Sequence, residues 1–471
     1  MPRWSSPQRI WPAAVLTLIV SGCVAGPDFV APAAPSATRY TTEPVDAGGA
    51  AEPDAWWLLL NSSQLDAVIR EALAANRTLA AARSTLAEAQ ALSDAAEAGR
   101  YPHADLDAGI GRQKYGAAFL GPQHLPPFTY YSIGPAVSYT FDFAGGVHRT
   151  IEQQRALAEV QQHEVQAAAL SLSGNVAMQA LAAASAHAQI DNLQALLEDD
   201  RRDLKLVQDA FTDGAATRVD VVNAQSQLAN DEALLPPLRR DLSSATNALA
   251  VLVGRTPDAA PATEFSLDEF HPPEHLPLTL PSELAHRRPD IQAAEARLHA
   301  ATAAVGVASA NLYPQISLTA TASLQANQLR SLFEASSAAG GLAGSLTQPL
   351  FDHGALRARK QAAIDAMNSS QANYEQIVLS AFGQVADSLD ALGHDQELLA
   401  SEQAAVSVAA ENLELTRESY SAGNSGVLQV LEAQRQNQQA RVGLVRAESQ
   451  RLQDTVQLLL SLGGRVPSAM L

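Results

Sequence analysis

Tyr313-Pro314-Gln315-Ile316-Ser317-Leu318-Thr319-Ala320-Thr321-Ala322-Ser323-Leu324 alternates strictly, with Ile316, Leu318, Ala320, Ala322 and Leu324 on one side and Ser317, Thr319, Thr321 and Ser323 on the other. Successive side chains of a strand point to opposite faces. The stretch therefore reads as a strand with one apolar and one polar face, and its length suits the ~9–11 residues of a tilted transmembrane strand. The Tyr-Pro pair that opens it also stands at Tyr101-Pro102, 212 residues earlier. Gly146 and Arg149 recur as Gly354 and Arg357, 208 on, and Phe211 and Gly214 as Tyr420 and Gly423, 209 on. Such near-constant offsets mean that a whole structural unit is duplicated.

Four strands are expected, at about 103–111, 130–141, 315–324 and 341–349. In the first, Asp105, Asp107 and Gly109 face away from Leu106, Ala108 and Ile110; in the second, Ile133, Val137, Tyr139 and Phe141 oppose Ser132, Gly134, Ser138 and Thr140. The polar residues Asp105, Asp107, Ser317, Thr319 and Thr321 are thus candidates to face a lumen. The intervening loops, about 112–129 and 325–339, are polar or rich in Gly and Pro and suit an extracellular surface. A closed membrane barrel tolerates no open edge and needs at least about eight strands. Either a four-stranded sheet lies on a soluble core or several chains share one barrel, and the lumen-side polar residues favour sharing.

Between these strands run two segments with apolar residues at strict sevens: Val176, Ala183, Ile190, Leu197, Leu204 and Phe211, then Val385, Leu392, Leu399, Val406, Leu413 and Tyr420. A period of 3.5 is the coiled-coil signature. No proline interrupts 147–211 or 355–420, so each can be one helix of about 65 residues, roughly 100 Å long. Gly214 and Gly423 end them, and the chain then returns. In the first returning segment, Pro236-Pro237 interrupts the seam Val221, Leu228, Leu235, Leu242 and Leu249, which predicts a kink in an otherwise continuous helix. The fold class is mainly α with a membrane β part.

The formal charge is −19, and loss of residues 1–22, which carry Arg3 and Arg9 but no acid, leaves −21. Nucleic acid is not an expected partner. Residues 1–22 have the build of an export signal: basic residues, an apolar stretch from Ile10 to Val20, then small residues. The sole cysteine, Cys23, follows in Val20-Ser21-Gly22-Cys23, which resembles a lipoprotein acylation site, and Val24 after it favours the outer membrane. Domain boundaries follow as signal 1–22, extended tether 23–55, first repeat 56–256, Pro-rich connector 257–281, second repeat 282–466 and tail 467–471. Neither a phosphate loop nor a nucleophile elbow nor a dinucleotide fingerprint stands in the chain. The prolines in His271-Pro272-Pro273-Glu274-His275 keep both imidazoles off one helix face, so neither a metal site nor a cofactor beyond the lipid is expected.

Several of these pieces, in this order, resemble the TolC-type outer-membrane factor family in its NodT-like lipoprotein branch. They are Gly22-Cys23-Val24-Ala25-Gly26-Pro27-Asp28-Phe29, Trp56-Trp57 with Leu65-Asp66, Tyr313-Pro314, Pro349-Leu350-Phe351-Asp352-His353-Gly354, and Tyr420-Ser421-Ala422-Gly423 leading to Leu431-Glu432-Ala433-Gln434. The resemblance implies a homotrimer with a 12-stranded barrel in the outer membrane and an α-helical tunnel across the periplasm. It also implies docking to a periplasmic adaptor protein and an inner-membrane pump of the resistance-nodulation-division type; with only four Met and one Cys to bind soft metals, the expected cargo of this passive conduit is small organic compounds. The hairpin tips, with Gly214, Ala216 and Thr217 in one and Gly423, Asn424 and Ser425 in the other, would meet the adaptor. Leu428 and Glu432, four apart on one helix face, match the family's entrance gate; Val219 and Asn223 stand at the same offset in the first copy. The alternatives are the exit of a protein-secretion or metal-efflux assembly, or a lipid-anchored scaffold without a pore.

Overall fold

A computed structural model describes residues 24–33, 40, 53, 55–115, 126–260, 264–273, 284 and 286–470. The signal 1–22, Cys23, most of the tether, and Glu274 and His275 lie outside the described residues. The described helices of eight residues or more are α1 (Ser63–Ala75), α2 (Arg77–Ala98), α3 (Gly146–Thr212), α4 (Arg218–Glu232), α5 (Leu235–Leu252), α6 (Pro289–Ala310), α7 (Ala355–Ser421) and α8 (Val427–Ser461). The strands are β1 (His103–Gln113), β2 (Phe128–Phe141), β3 (Gln315–Ala326) and β4 (Ala338–Thr347). The fourth strand therefore stops short of the expected end at 349, because Pro349 cannot donate to a ladder.

Two compact units emerge. One holds the N-terminal segment up to Pro32 with Leu86–Val160 and Ala294–Tyr374; the other holds Ala33–Thr85, Gln161–Ala293 and Glu375–Leu471.

The first unit carries one antiparallel sheet in the order β1-β2-β3-β4, so the central β2–β3 pair joins the two copies. Its register puts Asp105, Ala136, Thr321 and Gly341 in one row, with Ser138, Thr319 and Ala343 in the next. Ala104, Val137, Ala320 and Leu342 form a row of the opposite face. The β2–β3 ladder skips Gly134 and Pro135 and resumes in the same register, since Pro135 has no N–H to give. None of the described strand residues is buried on either face. Leu106, Ile110, Leu342 and Leu346 are all more than 60% exposed. A soluble core beneath this sheet is therefore not what holds it.

The second unit is helical around Trp56 and Trp57, both fully buried. Their indole N–H groups donate to Ser173 Oγ (2.9 Å) and Asp66 Oδ1 (2.8 Å), so neither is left unpaired. Phe265 and Phe270 of the connector are buried too, and the His271 N–H donates to the Leu60 carbonyl.

Four helix ends share one device. At Gly214, Gly254, Gly423 and Gly463 the backbone is left-handed (φ +75 to +79), and the next residue's N–H reaches back five residues: Ala215 to Ala210, Arg255 to Ala250, Asn424 to Ser419, Gly464 to Leu459. These are Schellman stops. They fall in two pairs, 209 residues apart. The same offset relates Gly145 to Gly354, both left-handed, and the starts of α3 and α7. The expected match of Gly146 with Gly354 is thus one residue out, and Arg149 corresponds to Ala358, not Arg357.

The long helices α3 and α7 have 67 residues each, about 100 Å at ~1.5 Å per residue. The expected single kinked helix after the first tip is two helices. Pro236 and Pro237 lack the N–H groups that would bond Glu232 and Ala233, so the ladder breaks and both prolines fall in the first turn of α5. Ala233 and Leu234 nevertheless keep right-handed helical dihedrals. The seam keeps its phase, with Leu228, Leu235 and Leu238 packed on Leu193, Leu196 and Leu197.

The Schellman glycines separate by surroundings. A Cβ on Gly254 would lie 2.6 Å from the Ala75 carbonyl oxygen, whereas one on Gly423 would meet nothing within 4 Å. Both substitutions incur the ~1–2 kcal/mol left-handed penalty, but Gly254→Ala adds a backbone clash. Thermal unfolding in detergent should show a clearly larger loss for Gly254→Ala than for Gly423→Ala.

Candidate functional site

The two hairpin tips belong to the helical unit. In the first, α3 ends at Thr212, Gly214 reverses the chain, and Thr217 caps α4. The Asp220 N–H donates to Thr217 Oγ1 (3.2 Å) and the Thr217 N–H to Asp220 Oδ2 (2.8 Å), a reciprocal capping box. The Thr217 hydroxyl, which donates to Asp220 Oδ2 (2.7 Å), and then the Thr217 N–H hold the Asp220 carboxyl below its ordinary range. In the second tip, Gly426 has no side chain to cap α8, and only the return bond survives, from its N–H to Gln429 Oε1 (3.0 Å). The second tip is the less tied of the two.

Among the tip residues singled out from sequence, Gly214, Thr217, Gly423 and Asn424 are exposed. Ala216 and Ser425 are half-buried, Ala216 because it packs on a cluster of Val207, Val221, Ala224 and Leu431. That cluster joins α3, α4 and α8.

Leu428 and Glu432 lie one turn apart on α8 and are both exposed, while Val430 and Leu431 between them are buried. The face-sharing inferred from their spacing is present. Sequence reasoning missed what Glu432 touches: Arg435 donates to both its oxygens (2.5 and 3.1 Å), and Gln436 adds a third bond (3.1 Å). Arg435 beside it holds the Glu432 carboxyl below its usual range. An acid followed three residues later by a base on a helix was the available signal.

Further along α3 the charged run Glu198-Asp199-Asp200-Arg201-Arg202-Asp203 is partly a buried network. Asp199 accepts from Arg202 and from Arg417 of α7 (3.3 Å). Asp200 is 4% exposed, close to Asp231 of α4, and accepts a long bond from Gln434 of α8 (3.5 Å). Gln227 donates to Asp231 (2.7 Å). Burial pushes the Asp200 carboxyl up to about 7, and Asp231, Asp203 and Asp199 add to the rise. Burial also raises Asp203, against the pull of Arg417. In the second copy Asp395 of α7 is raised to about 6 by burial and by Asp454 of α8. Each hairpin thus contains a desolvated carboxyl raised by burial and by a neighbouring aspartate, at non-equivalent heights.

In the sheet unit, Asp105, Asp107, Ser317, Thr319 and Thr321 fall on one face, where Ser317 and Ser345 exchange a hydroxyl bond of 2.7 Å.

Comparison with known proteins adds four findings. The family model described as "Outer membrane efflux protein" matches residues 68–255 and 280–464. The chain is 30% identical over 464 residues to the pyoverdine export outer membrane protein OpmQ of Pseudomonas aeruginosa, covering 96% of this chain and 95% of that protein. It is 28% identical to the cation efflux system protein CusC of Escherichia coli strain K12, covering 98% and 100%. The solved outer-membrane channel OprN superposes with a TM-score of 0.87 at 28% identity, over 94% of this chain and 99% of that one.

The Asp200–Asp231 pair sets a direction for pH. A carboxyl whose folded pKa is raised binds more protons folded than unfolded, so stability falls as pH climbs from about 4 to about 7 and stays low above. Asp200→Asn removes that loss. Hydrogen exchange corrected for intrinsic rates should show α3–α4 amides around Asp200 better protected in Asp200→Asn than in the parent at pH 8, and equally protected at pH 5.

Proposed function

Because the chain belongs to the outer membrane efflux protein family, we propose that it works as a homotrimer in which three four-stranded sheets close one 12-stranded barrel and the long helices line a periplasmic tunnel. The chain is an outer-membrane channel of an efflux system. The observation that carries the trimer is the sheet itself, with two open edges, an exposed apolar face and a polar face. Lipid covers the first face and a water-filled lumen the second, and only closure satisfies the edges. A closed three-fold ring then supplies three times the four strands of one chain. Asp105, Asp107, Ser317, Thr319 and Thr321 line the lumen.

In this reading the exposed tips around Gly214, Thr217, Gly423 and Asn424 receive a periplasmic adaptor, with Ala216 and Ser425 as their packed base. The adaptor in turn joins the channel to an inner-membrane pump of the resistance-nodulation-division type. Cys23 is acylated and adds a lipid anchor in the outer membrane. The conduit is passive and is opened by its partners.

The cargo is best read as small organic compounds. One relative is named for pyoverdine export and another for cation efflux, so both chemistries occur among similar proteins. Soft metal ions favour ladders of thioether and thiolate donors. The whole chain has four Met and one Cys.

Leu428 and Glu432 form the resting gate, with Arg435 as a third member. Three Glu432–Arg435 pairs round one axis are nearly neutral, which removes the repulsion that three bare carboxylates would bring to a narrow ring.

Native mass spectrometry of the detergent-extracted protein should give a trimer; a stable monomer with full β-content would sink the shared barrel. In single-channel recordings, Arg435→Ala should raise cation preference by leaving Glu432 unpaired, and Glu432→Ala should shift it towards anions. Leu428→Ser should raise resting conductance. Parent-like behaviour in all three places the constriction elsewhere.

A further inference from the structure

The strip from Val24 to Val30 has no regular secondary structure, yet it is held at five points. The Ala25 N–H donates to the Ala144 carbonyl (2.9 Å). Arg149, in the first turn of α3, donates through Nε to the Ala25 carbonyl (3.1 Å) and through Nη2 to Asp28 Oδ1 (2.7 Å). The Phe29 ring stacks on His299 of α6, centroids 4.4 Å apart, and His299 Nε2 lies 3.1 Å from Glu152 Oε1. Gly26, at φ +90, lies so close over Gly306 of α6 that a Cβ on it would come 2.5 Å from the Gly306 Cα.

Arg149 organises these contacts. Its side chain is 3% exposed and lies along Gly306, where a Cβ would meet its Cγ and Cδ at 2.7 Å. A buried guanidinium must have its donors satisfied. Glu152 takes one of them at 2.7 Å, and the N-terminal strip supplies the Ala25 and Asp28 partners. The Asp28 carboxylate is largely in water, so that ion pair adds little by itself. The half-buried carbonyl bond, the ring stack and the glycine-on-glycine approach fix the strip. The duplication does not require Arg149, because Ala358 stands at its position in the second copy.

The strip begins at a defined place. Val24 packs against Gly145, the left-handed turn between β2 and α3, where a Cβ would lie 3.0 Å from the Val24 Cα. Strand β2 ends four residues earlier, at Phe141. We infer that Val24–Phe29 is a latch, with Arg149 its positioning residue, that fixes the departure point of the lipid anchor at the β2–α3 turn. The inference rests on the proposed acylation of Cys23, one residue before Val24. The latch brings the acyl group and the strand ends to the bilayer at one level, so that anchor and barrel address the same leaflet.

The test uses the full chain in native membranes with a nitroxide on Val30→Cys, the only free thiol once Cys23 is acylated. The parent background should give an immobile spectrum. Arg149→Ala should replace it with the nanosecond motion of an untethered terminus, and Arg149→Lys should do the same, since an ammonium cannot bridge Ala25 and Asp28 as a fork. Gly306→Ala serves as the second variant, because alanine favours the helix while its Cβ displaces Arg149. A control label at Leu92→Cys on α2 should stay unchanged, and fatty-acid labelling of Cys23 should persist in every variant. If the Val30 label stays immobile in both Arg149→Ala and Gly306→Ala, the latch is overturned. If the parent takes up no fatty acid, the anchor reading falls, and the same spectra taken on a Cys23→Ser background, where the Val30→Cys thiol is again the only one, report on the latch.

Discussion

A four-stranded sheet with neither face buried and both edges unpaired cannot be the stable end state of one chain in water. Among the described residues, the outer strands β1 and β4 each carry a row of backbone donors and acceptors with no strand paired on one side. In lipid that debt is larger, because no water reaches the hydrocarbon to satisfy the groups. The rest of the architecture follows from this. In the proposed trimer the sheet closes with copies of itself, which would turn the face of Asp105 and Thr321 inward and the opposite face of Leu106 and Leu342 outward. Function as a conduit is the geometric consequence of meeting the hydrogen-bond requirement.

Duplication supplies the pieces, and departures from it supply the specialisation. The reversals at Gly214 and Gly423 are the same Schellman stop, set by the same glycine requirement. The capping that follows differs: Thr217 and Asp220 tie the first tip, whereas Gly426 leaves the second with one return bond. The exposed pair Glu432–Arg435 occurs in the second copy, where the first has Asn223 at the acid's position. Arg149 breaks the symmetry in the other direction. The raised carboxyls, Asp200 beside Asp231 and Asp395 beside Asp454, lie at unmatched heights. Near-equal copies thus build the frame, while unequal positions set apart the less capped second tip, the proposed gate at Glu432 and the Arg149 site.

Much of this was legible in the chain because it depends on local periodicity. Strict alternation after Tyr313-Pro314 defines a two-faced strand whatever surrounds it, and a proline-free heptad run defines a long helix. Glycine at a helix end is legible for the same reason, since left-handed backbone excludes most other residues. The Pro236-Pro237 site shows the boundary of such reading. The absence of two N–H groups was certain from sequence, but whether the helix bends or restarts depended on what Leu228, Leu235 and Leu238 pack against.

Tertiary structure alone decided the rest, because it depends on which side chains meet across long sequence separations. That Asp200 is buried beside Asp231 and Gln434, rather than solvated within an acidic helix run, follows from the packing of α3, α4 and α8. The burial of Arg149 under the N-terminal strip joins residues more than a hundred positions apart, and no periodicity announces it. The amino-acid sequence by itself determined the duplicated frame, the two-faced strands and the helix reversals, all governed by backbone stereochemistry and short-range pattern. Which polar groups are desolvated, and therefore which are shifted, paired or poised, was decided only when the helices packed, because desolvation belongs to the assembled neighbourhood and not to the residue.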